Sequence, residues 1–169
     1  AATAAAERLI TSDKVAGIMG ADCSGVTTAI ANNVAIPNGV TMISPSATSP
    51  ALSTIDDKGY FFRTAPSDAR QGQVLAQITM ERGFQDVAVT FINNDYGKGL
   101  SDSFINAYKS LGGKVEAVVP HEADKADFSA EVAALNASGA SILAVFGYLD
   151  QGGNHIIQGS IDSGAFDKF

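Results

Sequence analysis

Apolar residues along this chain gather into short runs, most of them apolar on both sides of the backbone. Residues 15–19, 40–43, 60–64, 87–92, 115–119 and 142–146 each read as a strand. Between the runs the period changes. Val74, Leu75 and Ile78 share one helix face; Leu100, Phe104, Ile105, Tyr108 and Leu111 form a stripe, and Phe128, Val132 and Leu135 form another. Spacings of three and four place side chains on one side of a helix, whereas a strand buried on both faces shows no alternation. Further helices are expected over residues 1–10, 26–35 and 154–163. Strands that alternate with helices predict an α/β protein whose parallel sheet is covered on both faces.

The punctuation agrees with this pattern. Pro37-Asn-Gly39, Gly83, Gly112-Gly113 and Gly139 follow the expected helices, and Ser24 or Gly25, and Ser67 or Asp68, can start the helices after them. The alanine-rich opening reads as a helix without a start signal of its own, so residues are expected before Ala1. Only residues 64–68 interrupt the alternation, which makes them the one plausible domain boundary. No internal repeat and no low-complexity linker is visible.

Composition narrows the function classes. The chain has 169 residues, 46% hydrophobic and 17% charged, as a packed globular protein requires. Its net charge is −7 with no clustered lysine and arginine face, so nucleic-acid binding is set aside. The longest apolar runs are strand-length and far short of a membrane span, and no basic stretch followed by an apolar one opens the chain, so any export signal is expected to be already gone or never present. Cys23 is the one cysteine, which leaves two readings: a small buried filler, or half of a bridge to a partner outside the chain.

Catalytic motifs fail their own tests. Gly20-Ala-Asp-Cys-Ser-Gly25 has the glycine spacing of a phosphate loop, but Val26 stands where the lysine belongs. Gly147…Gly152-Gly153 also lacks the lysine, and Gly97-Lys-Gly99 lacks the third glycine of a dinucleotide fingerprint. His121 and His155 stand alone without metal-ligand spacing and read as surface or loop histidines. No serine sits in a nucleophile elbow, and Asp56-Asp57 and Asp124/Asp127 read as solvated turn or cap residues. The expectation is a protein that is not an enzyme, with no catalytic residue, metal or cofactor.

What remains is a set of loops at the carboxyl ends of strands, where open α/β sheets bind ligands. Residues 41–52 begin as a strand and break into a run of hydroxyl residues punctuated by Pro45 and Pro50. One unit earlier, residues 15–19 run into a loop that carries Ser24 and Thr27 at a helix start. A helix start offers unpaired N–H groups to a carboxylate, and hydroxyls and loop carbonyls can accept from an ammonium. Tyr96 and Tyr148, after two later strands, add flat amphipathic walls. Each alone is explained by capping or turn formation; their repetition at equivalent strand ends points to a small polar ligand.

At these residues the chain resembles the type I periplasmic binding proteins of branched-chain amino acid importers, the leucine/isoleucine/valine-binding protein family. The resemblance runs through the whole chain. It rests on Gly20-Ala-Asp-Cys-Ser, Ile43-Ser-Pro-Ser-Ala-Thr-Ser-Pro-Ala-Leu, Phe62-Arg-Thr-Ala-Pro-Ser-Asp with Gln71-Gly72, Asp95-Tyr-Gly-Lys-Gly-Leu, Asp127-Phe-Ser and Phe146-Gly-Tyr. It implies two flavodoxin-like lobes with parallel sheets, both incomplete here: residues 1–66, ending in the first interlobe crossing, and residues 67–169.

By resemblance, Ser24 and Thr48 hold an amino-acid head group with the Ser46 carbonyl, Ala47 lies in the same loop, and Tyr96 and Tyr148 close over the ligand. The acidic residue that takes the ammonium falls beyond Phe169, and Cys23 matches a position that pairs with an earlier cysteine in some relatives. The implied function is that of a periplasmic or extracytoplasmic solute-binding subunit (lipid-anchored in a Gram-positive cell) that delivers its ligand to a membrane permease. A ligand-sensing receptor domain of the same fold is the alternative. A chain this short for two lobes is expected to be a fragment that binds weakly alone and dimerises or swaps through exposed sheet edges.

Overall fold

The computed structural model describes all residues, Ala1–Phe169. The chain divides into two compact units, Ala1–Ser67 and Asp68–Phe169.

The first unit contains α1 (Ala2–Thr11), β1 (Gly17–Met19), α2 (Ser24–Ile30), β2 (Thr41–Ser44) and β3 (Phe61–Arg63). A π-helical turn, Ala31–Ala35, extends α2, and a single 3-10 turn, Pro50–Ser53, follows the hydroxyl loop. The strands form a parallel sheet in the order β1-β2-β3. Its core is Ala6 from α1, Ile30, Ala31, Val34 and Ala35 from the α2 region, and Met42 and Phe61 from the sheet. Small residues at 31 and 35 let the helix approach the strands closely, and both are fully buried.

Here one expectation needs correcting. The sheet of this unit is covered on one face only. Met19 pairs in register with Ile43, and Ile43 with Phe62, so the three side chains form a row on the face opposite the core. They are 86%, 42% and 52% exposed. The helices of this unit pack on the Met42 face, and an apolar run says nothing about which of its faces has a partner within the same unit.

The second unit runs α3 (Asp68–Glu81), β4 (Asp86–Ile92), α4 (Asp95–Ser110), β5 (Lys114–His121), α5 (Ser129–Asn136), β6 (Leu143–Phe146) and α6 (Asn154–Asp162). A second parallel sheet, ordered β5-β4-β6, lies between two helix layers. On one side α3 and α4 bring Ala76, Leu100, Phe104 and Tyr108 onto Val87, Val89 and Phe146. On the other, α5 and α6 bring Val132, Leu135 and Ile156 onto Ala88 and Leu143. β4, the central strand, is buried on both faces, as its unbroken apolar run predicts. Close contact of α3 with α4 depends on Gly72: a Cβ placed there would lie 2.6 Å from the backbone nitrogen of Phe104. Asn94 caps α4, its side chain accepting from the Gly97 N–H at 2.9 Å.

Candidate functional site

In the first unit, the loops after β1 and β2 are tied to each other by serine hydroxyls. Ser44, fully buried at the end of β2, donates to the Ala21 carbonyl at 2.6 Å and accepts from the Ala47 N–H at 3.0 Å. Ser24, 2% exposed at the first position of α2, accepts from the Ser49 N–H at 3.1 Å. Thr27 donates to the same Ala21 carbonyl at 2.9 Å. Ser46 is exposed, and its hydroxyl donates towards the Asp22 carbonyl and carboxylate at 3.1 and 3.3 Å. Ala47 is fully buried and Thr48 half-buried. The structure therefore brings Ser24, Ser46, Ala47 and Thr48 together on one rim of this unit, with most of the rim's polar groups bound to one another. That order is what preorganised binding needs: a loop held by its own bonds loses little entropy when a ligand arrives.

Sequence reasoning missed two members of this scaffold. Ser44 falls just after the expected strand 40–43, in the hydroxyl run, and the sequence gives it no role of its own. Arg63, on β3, donates to the Ala47 carbonyl at 3.2 Å, to the Ser49 carbonyl at 2.8 Å and to Ser53 Oγ at 2.5 Å. Its guanidinium thus fastens the hydroxyl loop from below, a use that suits its fork of donors. An arginine inside a short aromatic strand was the available signal, since a cation there needs acceptors close by.

In the second unit, Tyr96 and Tyr148 meet. Tyr96 lies in the first turn of α4, Tyr148 just after β6, and their rings stack with centroids 5.1 Å apart and planes at 24°. Burial, and then the negative charge of Asp68, push the Tyr96 hydroxyl above the usual phenol range, so it stays protonated at neutral pH. Asp68 itself is 1% exposed. Gly97, next to Tyr96, has no room for a side chain, because a Cβ would collide with the Ile92 carbonyl oxygen.

Two expectations are overturned. Cys23 is exposed at the N-cap of α2, so it is not a buried filler; the backbone there is extended and turns the side chain away from the core. His121 is not a surface histidine. It ends β5, is 1% exposed, and shares a 2.9 Å hydrogen bond between Nδ1 and Thr90 Oγ1 on β4. Its place on the inward side of the last strand turn buries it, and a lone histidine in sequence carries no sign of that. Burial lowers its pKa, with Glu131 and Glu122 pulling the other way. No group of three or more histidine, cysteine, aspartate or glutamate side chains could hold a metal ion.

Residues 1–163 match the sequence family described as "Receptor family ligand binding region". The chain belongs to that family. A Leu/Ile/Val-binding protein homolog from Brucella melitensis is 35% identical over 150 residues, covering 85% of this chain and 39% of the relative. Among solved structures, the leucine-binding protein LivK of Thermotoga maritima superposes with a TM-score of 0.78 at 32% identity, covering 87% of this chain and 41% of that one. A solute-binding protein of an ABC transporter from R. palustris, solved with 4-hydroxybenzoate, superposes with a TM-score of 0.84 at 21% identity, covering 96% and 44%. The fold is thus that of the type I periplasmic binding proteins, as the sequence motifs predicted. This chain spans about two fifths of the length of these family members.

Proposed function

We propose that this chain is part of an extracytoplasmic solute-binding subunit of an ABC importer, one that captures an amino acid or a similar small carboxylate. The observation that carries the reading is the rim of the first unit. There Ser24, Ser44 and Arg63 fix the loops after β1 and β2 through buried and part-buried hydrogen bonds, and Ser46 and Thr48 lie in the loop so held, which Ser24 joins to the start of α2. A helix start favours a carboxylate, and a hydroxyl with a carbonyl beside it suits an ammonium. The stacked Tyr96–Tyr148 pair of the second unit offers flat aromatic faces of the kind that wall a small ligand. Residues 1–66 and 67–169 then belong to two lobes of that subunit, and a membrane permease receives the ligand.

Family members known as Leu/Ile/Val- and leucine-binding proteins support an aliphatic amino acid as the first ligand to try. The relevant test is a thermal-shift screen of the intact protein, flanking residues included, against L-leucine, L-valine and 4-hydroxybenzoate. A ligand at a hundred times its Kd stabilises by ~2.7 kcal/mol, which is a readable rise in melting temperature. Thr48→Ala is expected to abolish that rise, read against the variant's own ligand-free melting temperature. No shift with any amino acid or small carboxylate would sink the proposal.

A further inference from the structure

The buried imidazole of His121 has one nitrogen that the fold leaves unanswered. Nδ1 meets Thr90 Oγ1 at 2.9 Å, but Nε2, which solvent does not reach, has no hydrogen-bond partner. What covers it is the segment 147–153, which carries Tyr148. A Cβ placed on Gly147 would lie 3.2 Å from Nε2, and one on Gly152 would lie 3.1 Å from Cδ2 and 2.8 Å from Phe128 Cζ. Both glycines therefore rest directly on the ring. Gly152 also has φ +97°, which a side chain would disfavour, so the segment reaches the imidazole by a turn that only glycine makes easily. The segment closes on itself through the Gln151 and Gly153 N–H groups, which donate to the Tyr148 carbonyl at 3.2 and 3.1 Å.

We propose that His121 is a positioning residue for Tyr148: the neutral imidazole, held by Thr90, is the floor on which segment 147–153 sits, and so sets the stacking of Tyr148 on Tyr96. This rests on the reading of the two tyrosines as a ligand wall. A neutral ring fits the site, because either tautomer leaves at Nε2 only a lone pair or one N–H without a partner. A protonated ring puts a charged N–H there with no acceptor, against the Gly147 backbone, and burying such a group without a partner is costly. Water can reach Nε2 only if the segment lifts, and lifting it carries Tyr148 away from Tyr96.

The surrounding charges do not remove this cost. On α5, Glu131 is ion-paired with Lys125 at 2.6 Å. Glu122, next to the ring on the chain, accepts from Asn93 Nδ2 at 2.7 Å. Asp150, on the covering segment, is exposed. His155, on α6, stacks on Phe128 at 5.6 Å, whereas His121 meets that ring edge-on at 6.3 Å. β4 contributes only the uncharged Thr90 to the ring.

The test reads the tyrosine pair without needing a ligand. Near-UV circular dichroism of the native protein is followed from about pH 7.5 to about pH 5, across the ordinary histidine range. Tyr148→Phe identifies the part of the signal due to the pair. That part is expected to fall with acid in the native protein while the far-UV spectrum is kept, and to stay flat in His121→Asn, which can still bond Thr90, and in His121→Phe, which fills the space. Gly147→Ala, which crowds Nε2 without altering any charge, is expected to give the weakened signal already at neutral pH. The proposal falls if both His121 variants keep the native acid response, or if the native pair does not respond at all.

Ring-nitrogen NMR shifts of the unmutated protein give a second check. His121 is expected to titrate below the ordinary histidine value and together with the Tyr148 resonances. Titration of His121 with the Tyr148 resonances unmoved overturns the idea. In the intact protein, L-leucine affinity should fall by up to ~tenfold per pH unit below the ring's pKa, and not in His121→Asn. If the pair follows His121 while leucine binds at no pH, the positioning role stands and the amino-acid reading is what fails.

Discussion

Ser44 ends β2 and Ser46 lies two residues on in the loop that follows, yet their hydroxyls have different work. Ser44 is fully buried, and its hydroxyl satisfies both the Ala21 carbonyl and the Ala47 N–H. Removing it strands the buried Ala47 N–H and leaves the Ala21 carbonyl with Thr27 as its remaining side-chain donor, so Ser44→Ala is expected to cost about 1–3 kcal/mol in urea unfolding. Ser46 is exposed, and any role it has in binding runs through its carbonyl, so Ser46→Ala is expected to change stability by less than about 0.5 kcal/mol and to leave ligand affinity as it was. Tyr108 is a third case: fully buried, it donates its hydroxyl to the Phe84 carbonyl at 2.9 Å. Tyr108→Phe keeps the packing and loses that bond, for about 1–2 kcal/mol.

His121 adds a pH dependence of known sign. Its pKa in the folded chain lies below the ordinary value of 6.5, chiefly through burial. The unfolded chain therefore binds the proton more readily, and the ring's contribution to stability is complete above the ordinary value and is lost as pH falls through the folded one. Urea midpoints of the native protein should drop over that window more steeply than those of His121→Phe.

At the scale of elements, the pattern of the sequence located every strand and every α-helix, with shifts at the ends, but not the short helical turns Pro50–Ser53 and Leu149–Gly153. β1 is Gly17–Met19 where 15–19 was expected, and β5 runs on to His121 where 119 was expected. Pairing decides those limits: Gly17 faces Thr41 at the start of β2, and His121 faces Ile92 at the end of β4. The helix expected over 26–35 begins at Ser24 and loosens into a π-helical turn at Ala31–Ala35, a change of hydrogen-bond pitch that residue type does not announce. How close two helices lie is also a tertiary matter. Gly72 looks like a poor helix residue, but its missing side chain is what lets α3 lie on Ser103 and Phe104 of α4. Gly72→Ala gains helix propensity of under about 1 kcal/mol and is expected to lose more through overpacking, a net destabilisation of about 1–3 kcal/mol by thermal or urea unfolding.

At the scale of the whole molecule, the uncovered row of Met19, Ile43 and Phe62 is the main departure from a self-sufficient α/β protein. Parallel sheets are ordinarily covered on both faces, and this unit supplies helices for one. In the second unit an apolar groove of about 690 Å³ runs along the outer edge of β6, lined by Leu75, Ile78, Val87, Ile142, Ala144 and Phe169 among others. At its end the Leu143 N–H donates to the Lys168 carbonyl at 3.1 Å, a first bond of the kind that adds a strand to a sheet edge. The 169-residue chain by itself is therefore expected to bind the dye 8-anilinonaphthalene-1-sulfonate and to self-associate. Sedimentation velocity over a concentration series checks the second point, and Ile43→Thr with Phe62→Thr should weaken both effects. A dye-silent monomer at every concentration would contradict it.

The α/β class, the element order and the hydroxyl-rich loops at strand ends were legible in the chain itself, because period and punctuation are local properties set by which faces a segment buries. Candidate residues could be named from their positions at strand ends, but the stacking of Tyr96 on Tyr148 was not among those expectations. What only the tertiary structure decided is which polar atoms answer one another. Ser24 with Ser49, Ser44 with Ala21, Arg63 with two loop carbonyls and His121 with Thr90 are separated in sequence by 14 to 31 residues. Burial is likewise a property of the surroundings: the same apolar strand pattern hides Met42 and exposes Ile43 beside it, because helices lie on one face of that sheet and none of that unit's own lies on the other.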